Sequence, residues 1–365
     1  MQSKIKGLNG AKLAGRSIAA GTIVAALALT GCAGSEDSGS AGGDGDFSGR
    51  QLVYASYGGA TEDAIKESKG VPFEEQTGAE VTWVSPVDLG KVRAMVQSNN
   101  PEWDLVNAGF QVSDAPGSED LFEAIDPSDF NTDDLIDGTV RPHGVGTYVL
   151  SYLVASRTDR GHDTPKTWTE FYDTKKFPGK RGMDGEGPGV ILESALLADG
   201  VTPEDLYPLD VERAFKKLDT IKDDILWYDS GAQQVELMAN STVDYLLAWS
   251  GRAFDLHARG IPMDISFDQQ IMTITNQSIV KGSPNADLAL EFIKENLDPE
   301  RQAKFAELTA YAPVNKKALD LIDPETAKFM PTYPENLEKA VPLDVDYWTE
   351  HQDELQERFL SWKLE

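Results

Sequence analysis

An α/β fold in two lobes is predicted for this 365-residue chain. Three observations predict it. Short apolar runs ending in glycine turns alternate with helix-patterned stretches, the pattern of a parallel sheet with helices on both faces. About 330 residues follow an apolar leader, more than one ordinary core holds. One run, Val145 to Ser156 (VGTYVLSYLVAS), is longer and more β-branched than its neighbours, as expected of a central strand or of a strand leaving one lobe for another.

The chain begins with Lys4, Lys6, Lys12 and Arg16, then an apolar run from Ser17 to Leu29 and the tetrapeptide Leu29-Thr30-Gly31-Cys32, which holds the only cysteine. A basic start with a short apolar stretch reads as a secretory signal over 1–31, too short for a comfortable membrane span. Thr30 and Gly31 before Cys32 resemble the lipobox of bacterial lipoproteins. That resemblance implies a lipidated Cys32 as the mature N-terminus, holding the protein on the outer face of the cytoplasmic membrane. Ala33 to Arg50 is a Gly/Ser/Asp tether with no apolar periodicity, giving a flexible linker over 32–50 with an end-to-end distance of about 25 Å. Asp44, Asp46, Ser48 and Gly49 imitate the start of a calcium loop, but Ala55 stands where the bidentate glutamate belongs, and calcium is rejected.

Leu52 to Tyr57 is a first buried strand breaking at Gly58-Gly59. A helix follows to about Gln76, stopped at Thr77-Gly78. Glu80 to Ser85 is a second strand, Lys91 to Ser98 a helix, and Trp103 to Val106 a third strand running into Asn107-Ala108-Gly109-Phe110. Ligands of such sheets sit beyond the carboxyl ends of the strands, here Ser56-Tyr57-Gly58 and Asn107-Ala108-Gly109. After the long run comes a helix start at Trp168, then Lys180 to Gly189, a loop rich in glycine, before the helix Val190 to Asp199. Thr202-Pro203 opens another helix, with Val211, Ala214, Phe215, Leu218 and Ile221 on one face. Ser230 caps Ala232 to Ala239. Val243 to Trp249 is a strand whose Tyr245, Leu247 and Trp249 share a face; Ser250-Gly251-Arg252 opens a helix to about Ala258. Ile261 to Phe267 and Met272 to Val280 read as two strands. Helices begin at Ser283-Pro284 and Asp298-Pro299, and Tyr311 to Asn315 is a turn before mostly helical chain, including an amphipathic Tyr347 to Trp362.

The formal charge is −28, from 33 basic against 61 acidic residues; the leader holds four of the basic ones, leaving 29 against 61, or −32. That excess opposes nucleic acid and anionic headgroups and favours a soluble surface. Beyond Cys32 no thiolate is available for a disulfide, a metal or a nucleophile. The four histidines, His143, His162, His257 and His351, show no paired metal spacing. Ser278-Ile279-Val280-Lys281 fits Ser-x-x-Lys by chance, on a strand and without its companion motifs. No nucleophile elbow, Walker loop or dinucleotide fingerprint follows a strand. Catalysis has little support and no cofactor is expected. What stands out is aromatic residues where strands meet loops: Tyr57, Trp249 and Tyr311. Their ring faces attract alkylammonium groups with about 0.5–2 kcal/mol each.

From Leu52 onward the chain resembles substrate-binding proteins of ABC importers in the spermidine/putrescine-binding family. The resemblance rests on Leu52–Gly59, FEEQTGAEV at Phe73–Val81, Trp103–Val106, WSGRAF at Trp249–Phe254, IVKGSPN at Ile279–Asn285 and YAPVN at Tyr311–Asn315. It implies a two-lobed periplasmic-binding-protein type II fold with two crossover hinge strands, near Thr147–Leu153 and Met272–Ile279. Lobe 1 would hold 51–150 and 276–311, and lobe 2 would hold 151–275 and 312–365. Ligand-stacking aromatics would fall on Tyr57, Trp249 and Tyr311, and a lobe-2 acid on Asp184. Where polyamine binders carry an aromatic and an aspartate, this chain has Thr273 and Thr275. Arg252 is a fork suited to a carboxylate. The expectation is therefore a monomeric binding lipoprotein that takes a polyamine or an amine also bearing an acid, such as a 4-aminobutyrate-like compound, to ABC permease transmembrane subunits. Its ligand shell would be Ser56, Tyr57, Asp184, Trp249, Ser250, Arg252, Thr275 and Tyr311. An extracellular hydrolase of amine esters or amides, or a ligand-sensing partner of a membrane receptor, are the alternatives.

Overall fold

The computed structural model describes residues 46–365; the leader, most of the tether and the expected lipidation site Cys32 lie outside the described residues. Ten strands form one sheet: β1 (Gln51–Ala55), β2 (Glu80–Val84), β3 (Leu105–Gly109), β4 (Val140–Arg141), β5 (Gly144–Arg157), β6 (Arg181–Asp184), β7 (Ile225–Tyr228), β8 (Tyr245–Trp249), β9 (Met263–Ile279) and β10 (Val341–Pro342). Their order is β2-β1-β3-β9-β5-β8-β6-β7, with β4 on β5 and β10 on β9. β1, β2 and β3 run parallel, as do β6, β7 and β8, while β9 and β5 pair antiparallel with each other and with these two groups.

The two long strands cross between cores. Val145, Tyr148, Val149 and Leu150 of β5 pack with Leu52, Tyr54, Phe73, Leu105 and Phe292. Val154 packs with Trp168, Met183, Leu247 and Trp348 in a second core, and Leu153 with Leu246 and Leu256 in a third. On β9, Ile279 belongs to the first core and Ile271 to the second. The change of side falls where Ser151 and Tyr152 face Met272 and Ile271, beside a register shift between Tyr152 and Val154. Such an irregularity lets a strand bend.

Five features depart from the sequence reading. The stretches 261–267 and 272–280 are one strand: Gln269 takes φ +60°, Gln270 Nε2 donates to the carbonyls of Pro331 and Asn336, and the backbone runs on despite its polar interruption. The glycine-rich loop contains β6; the absent side chain of Gly182 leaves room for Leu246, and Arg181, fully buried, donates to the carbonyls of Phe171, Gly179 and Phe177. β7 was not expected. The helix read from Thr202 begins only at Val211, capped by Asp210, after a short Pro203–Asp205 turn. The segment after Tyr311 also divides differently. Ala312, Val314, Ala318, Ile322 and Met330 pack in the first core, whereas Trp348, Leu355, Phe359 and Trp362 of the last helix pack in the second.

Candidate functional site

The carboxyl ends of β1, β6, β7 and β8 deliver the site's polar groups. β6 ends on Asp184, 9% exposed. Its Oδ1 accepts from the Glu186 amide at 3.0 Å and its Oδ2 from Trp249 Nε1 at 3.3 Å. Burial pushes the Asp184 carboxyl up to about 6, with the Asp229 charge adding to the rise and the two donors opposing it. Glu186 is pushed up to about 7 by lost hydration first and then by Asp184 and Asp229. Asp229 follows the end of β7; a side chain on Gly185 would meet both its Oδ1 and Lys363 Nζ, which donates to the Gly185 carbonyl. One corner of the site is thus strongly acidic, with Lys363 as its nearby cation.

The other corner is basic. Arg252, on the first turn of the helix Ser250–Ala258, is 5% exposed. Among the described residues its guanidinium enters no ion pair, its Nε has no acceptor, and its Nη2 reaches only the Gly58 carbonyl at 3.5 Å. A buried charge without a partner costs several kcal/mol. Trp249 lies between the corners. Its Nε1 edge faces Asp184, while a methyl group built on Gly231 would lie 3.0 Å from Cζ3 on its six-membered ring and 2.5 Å from Arg252 Nε. Gln234, buried in the helix that starts at Gly231, holds the Trp249 amide through Oε1.

The sequence-selected residues do not all converge. Tyr57, 40% exposed, stands two residues beyond the end of β1. Ser56 is used internally: its Oγ donates to Glu62 and accepts from the Gly58 amide. Ser250 Oγ accepts from the Ser151 amide on β5. Thr275 is buried on β9 between Gly109 and Tyr148. Tyr311 is a packed ring, 2% exposed: it stacks on Tyr148 at 4.9 Å and abuts Gly251, where a methyl group would lie 2.5 Å from its Cζ. It fastens the Arg252 helix to the first core, and its faces are already taken.

The residue at the centre is one the sequence reading passed over. Tyr152, half-buried on β5, sits 6.5 Å from Trp249 with the rings at 83°. Its hydroxyl is raised by burial first and then by Asp184, Tyr57, Tyr311 and Glu186 around it. The signal was present: Tyr148 and Tyr152 are four apart in a strand and so share a face. Glu186, Asp229 and Gly231 carried no such signal. A hollow of about 410 Å³ on the first lobe, lined by Asp133, Asp137 and Lys316, brings none of these groups together.

Comparison with known proteins follows the same line. Residues 70–335 match a family described as bacterial extracellular solute-binding protein. A gamma-aminobutyric acid-binding protein of Pseudomonas aeruginosa is 36% identical over 320 residues, covering 86% of this chain and 91% of that one. The solved structure of a GABA receptor superposes with a TM-score of 0.80 at 38% identity, covering 86% of this chain and 98% of that one. A binding protein of A. tumefaciens R10 in complex with agropinic acid gives 0.79 at 31% identity, with 87% and 99% covered. A spermidine/putrescine-binding protein of Streptococcus pneumoniae, 16% identical at a TM-score of 0.65 over 86% of this chain and 99% of that one, shares the fold.

Proposed function

The chain belongs to the bacterial extracellular solute-binding proteins, and we propose that its solute is an ω-amino carboxylate of the 4-aminobutyrate type. It is a substrate-binding protein of an ABC importer with the type II periplasmic-binding fold, and no bond of the solute is broken; the family consists of solute-binding proteins, not enzymes.

The observation that carries the choice of solute is Arg252. A buried guanidinium with no carboxylate partner among the described residues is a ready partner for one brought by a ligand, through charge-assisted hydrogen bonds worth about 1.5–3 kcal/mol. The ligand's ammonium then goes to the Asp184 and Glu186 corner, and its methylenes lie along Trp249 and Tyr152. Tyr57 covers the mouth from the other lobe. Closing the lobes excludes water and strengthens each contact. A polyamine brings a second cation toward Arg252, which the site disfavours. GABA in the names of two relatives supports the same reading.

Calorimetry with 4-aminobutyrate, putrescine, spermidine, betaine and simple amino acids tests this. The expected result is one site per chain, tightest for 4-aminobutyrate. Putrescine binding as tightly as 4-aminobutyrate overturns it. The reading also keeps Cys32 as a lipid-modified anchor, which mass spectrometry of the membrane-extracted protein checks.

A further inference from the structure

We infer that the solute's carboxylate is gripped between Arg252 and the amino end of the helix Gly231–Ala239, and that Gly231 sets selectivity for it; the inference rests on the role given to Arg252 above. The helix is nine residues long and starts directly after β7 and Asp229. Its cap, Ser230, accepts from the Gln233 amide through Oγ and from the Gln234 amide through its carbonyl. Among the described residues the amides of Gly231 and Ala232 donate to no protein acceptor, as first-turn amides do unless something outside the helix serves them.

Beside those two donors lies the guanidinium. The absent Gly231 side chain is what admits it, since a methyl group there would lie 2.5 Å from Arg252 Nε and 3.0 Å from Nη2. A helix start carries a partial positive charge, so a buried cation against it is repelled. Among the described residues Arg252 Nε has no acceptor, and the side chain is 5% exposed. Two positive features pressed together, one with an unmet donor and the other with two, form a site for an anion between them. A carboxylate fits it: one oxygen accepts from the guanidinium fork and the other from the Gly231 and Ala232 amides. A neutral or cationic chain end offers none of these donors an acceptor.

Gly231→Ala pushes the guanidinium aside and, with its methyl 3.0 Å from Trp249 Cζ3, also crowds the indole, while Asp184 and Glu186 meet nothing new. Calorimetry should show 4-aminobutyrate weakened at least tenfold more than 1-butylamine, which shares the indole wall but lacks the carboxylate. In the wild-type protein, adding 4-aminobutyrate should move the Gly231 and Ala232 amide proton resonances downfield, a shift that 1-butylamine does not produce. The nuclear magnetic resonance arm uses unaltered protein, so it stands even where Gly231→Ala folds poorly. Wild-type protein that fails to bind 4-aminobutyrate removes the proposed solute, and this inference with it. Binding that is unchanged by Gly231→Ala, or that leaves both amides unmoved, overturns the helix site alone and leaves the solute standing.

Discussion

Trp249 Nε1 donates to Asp184 Oδ2 across 3.3 Å, tying the end of β8 to the end of β6. The bond fixes the indole plane and gives a 9%-exposed carboxylate one of its two protein donors. Removing the ring therefore has two effects: the wall along the ligand chain goes, and Asp184 loses a partner. Trp249→Ala should weaken 4-aminobutyrate at least tenfold, about 1.4 kcal/mol. Trp249→Phe keeps an aromatic wall without the donor and should fall between. Calorimetry on both variants checks this; unchanged affinity in Trp249→Ala places the ligand elsewhere.

Arg252 and Asp184 divide the ligand by charge, so their variants should sort solutes differently. Arg252→Ala should cost 4-aminobutyrate about 10- to 100-fold, the equivalent of one charge-assisted contact. The same change should leave the weak binding of 1-butylamine nearly untouched, or improve it, because a repelling cation is gone. Competition assays on the two ligands report the split. Equal loss for both would mean that Arg252 supports the fold of the cleft rather than the carboxylate.

The acidic corner predicts two opposite responses to pH. Asp184 titrates at about 6 and Glu186 at about 7 in the folded chain, both above the usual carboxylate range of about 4. A carboxyl whose folded value is raised holds its proton more tightly folded than unfolded. Its contribution to stability is full below about pH 4 and is lost as pH rises through its folded value. Ligand-free protein should therefore lose stability from these two groups between about pH 4 and 7. Binding an ammonium runs the other way, because it needs the carboxylates ionised. Affinity for 4-aminobutyrate should fall as pH drops through 7 and then 6, by up to about tenfold per pH unit for each proton that must leave. Calorimetry across that range and thermal unfolding without ligand measure the two slopes. A flat affinity profile counts against the acidic corner as the ammonium site.

The sequence made the strands legible where apolar runs end in glycine, and the helices where a cap precedes them, as at Asp298 and Ser230. Long-range packing hid the rest. β6 looks like a loop because its glycine is there to admit Leu246, a residue 64 positions on. β9 looks like two strands because Gln269 and Gln270 break the alternation, while their hydrogen bonds to Trp168, Pro331 and Asn336 are invisible in a local window. At the site, Asp184, in a stretch that reads as a loop, follows only from the family resemblance, whereas Arg252 follows from the helix that opens just after Trp249, and Trp249 from its place at a strand end. Tyr311 occupies such a place too, yet the stacking of Tyr148 turns it inward. Which face of an aromatic ring is covered depends on what another strand brings, and no spacing encodes it.

Arg141 on β4 pairs with Asp114 at 2.5 Å on its own side and with Asp346 at 2.7 Å, on the last helix. Val140 beside it packs on the first core, and Trp348 beside Asp346 packs in the second, so the second pair joins the two lobes. The same helix holds the acidic loop further along, with Gln356 Nε2 donating to the Glu186 carbonyl and Lys363 Nζ to that of Gly185. Opening the cleft separates the lobes that Arg141 and Asp346 connect, so losing the pair should favour the open form. Asp346 is 81% exposed at its side chain, and pairs of that kind contribute about 0.2–1 kcal/mol. Asp346→Asn should therefore raise the dissociation constant only about 1.4- to fivefold, equally for every ligand, because no ligand touches it. Small-angle scattering of the ligand-free variant should show a larger radius of gyration than wild type. A change in ligand preference, or no change in either measurement, would mean that the pair holds the helix within one lobe's frame and takes no part in closure.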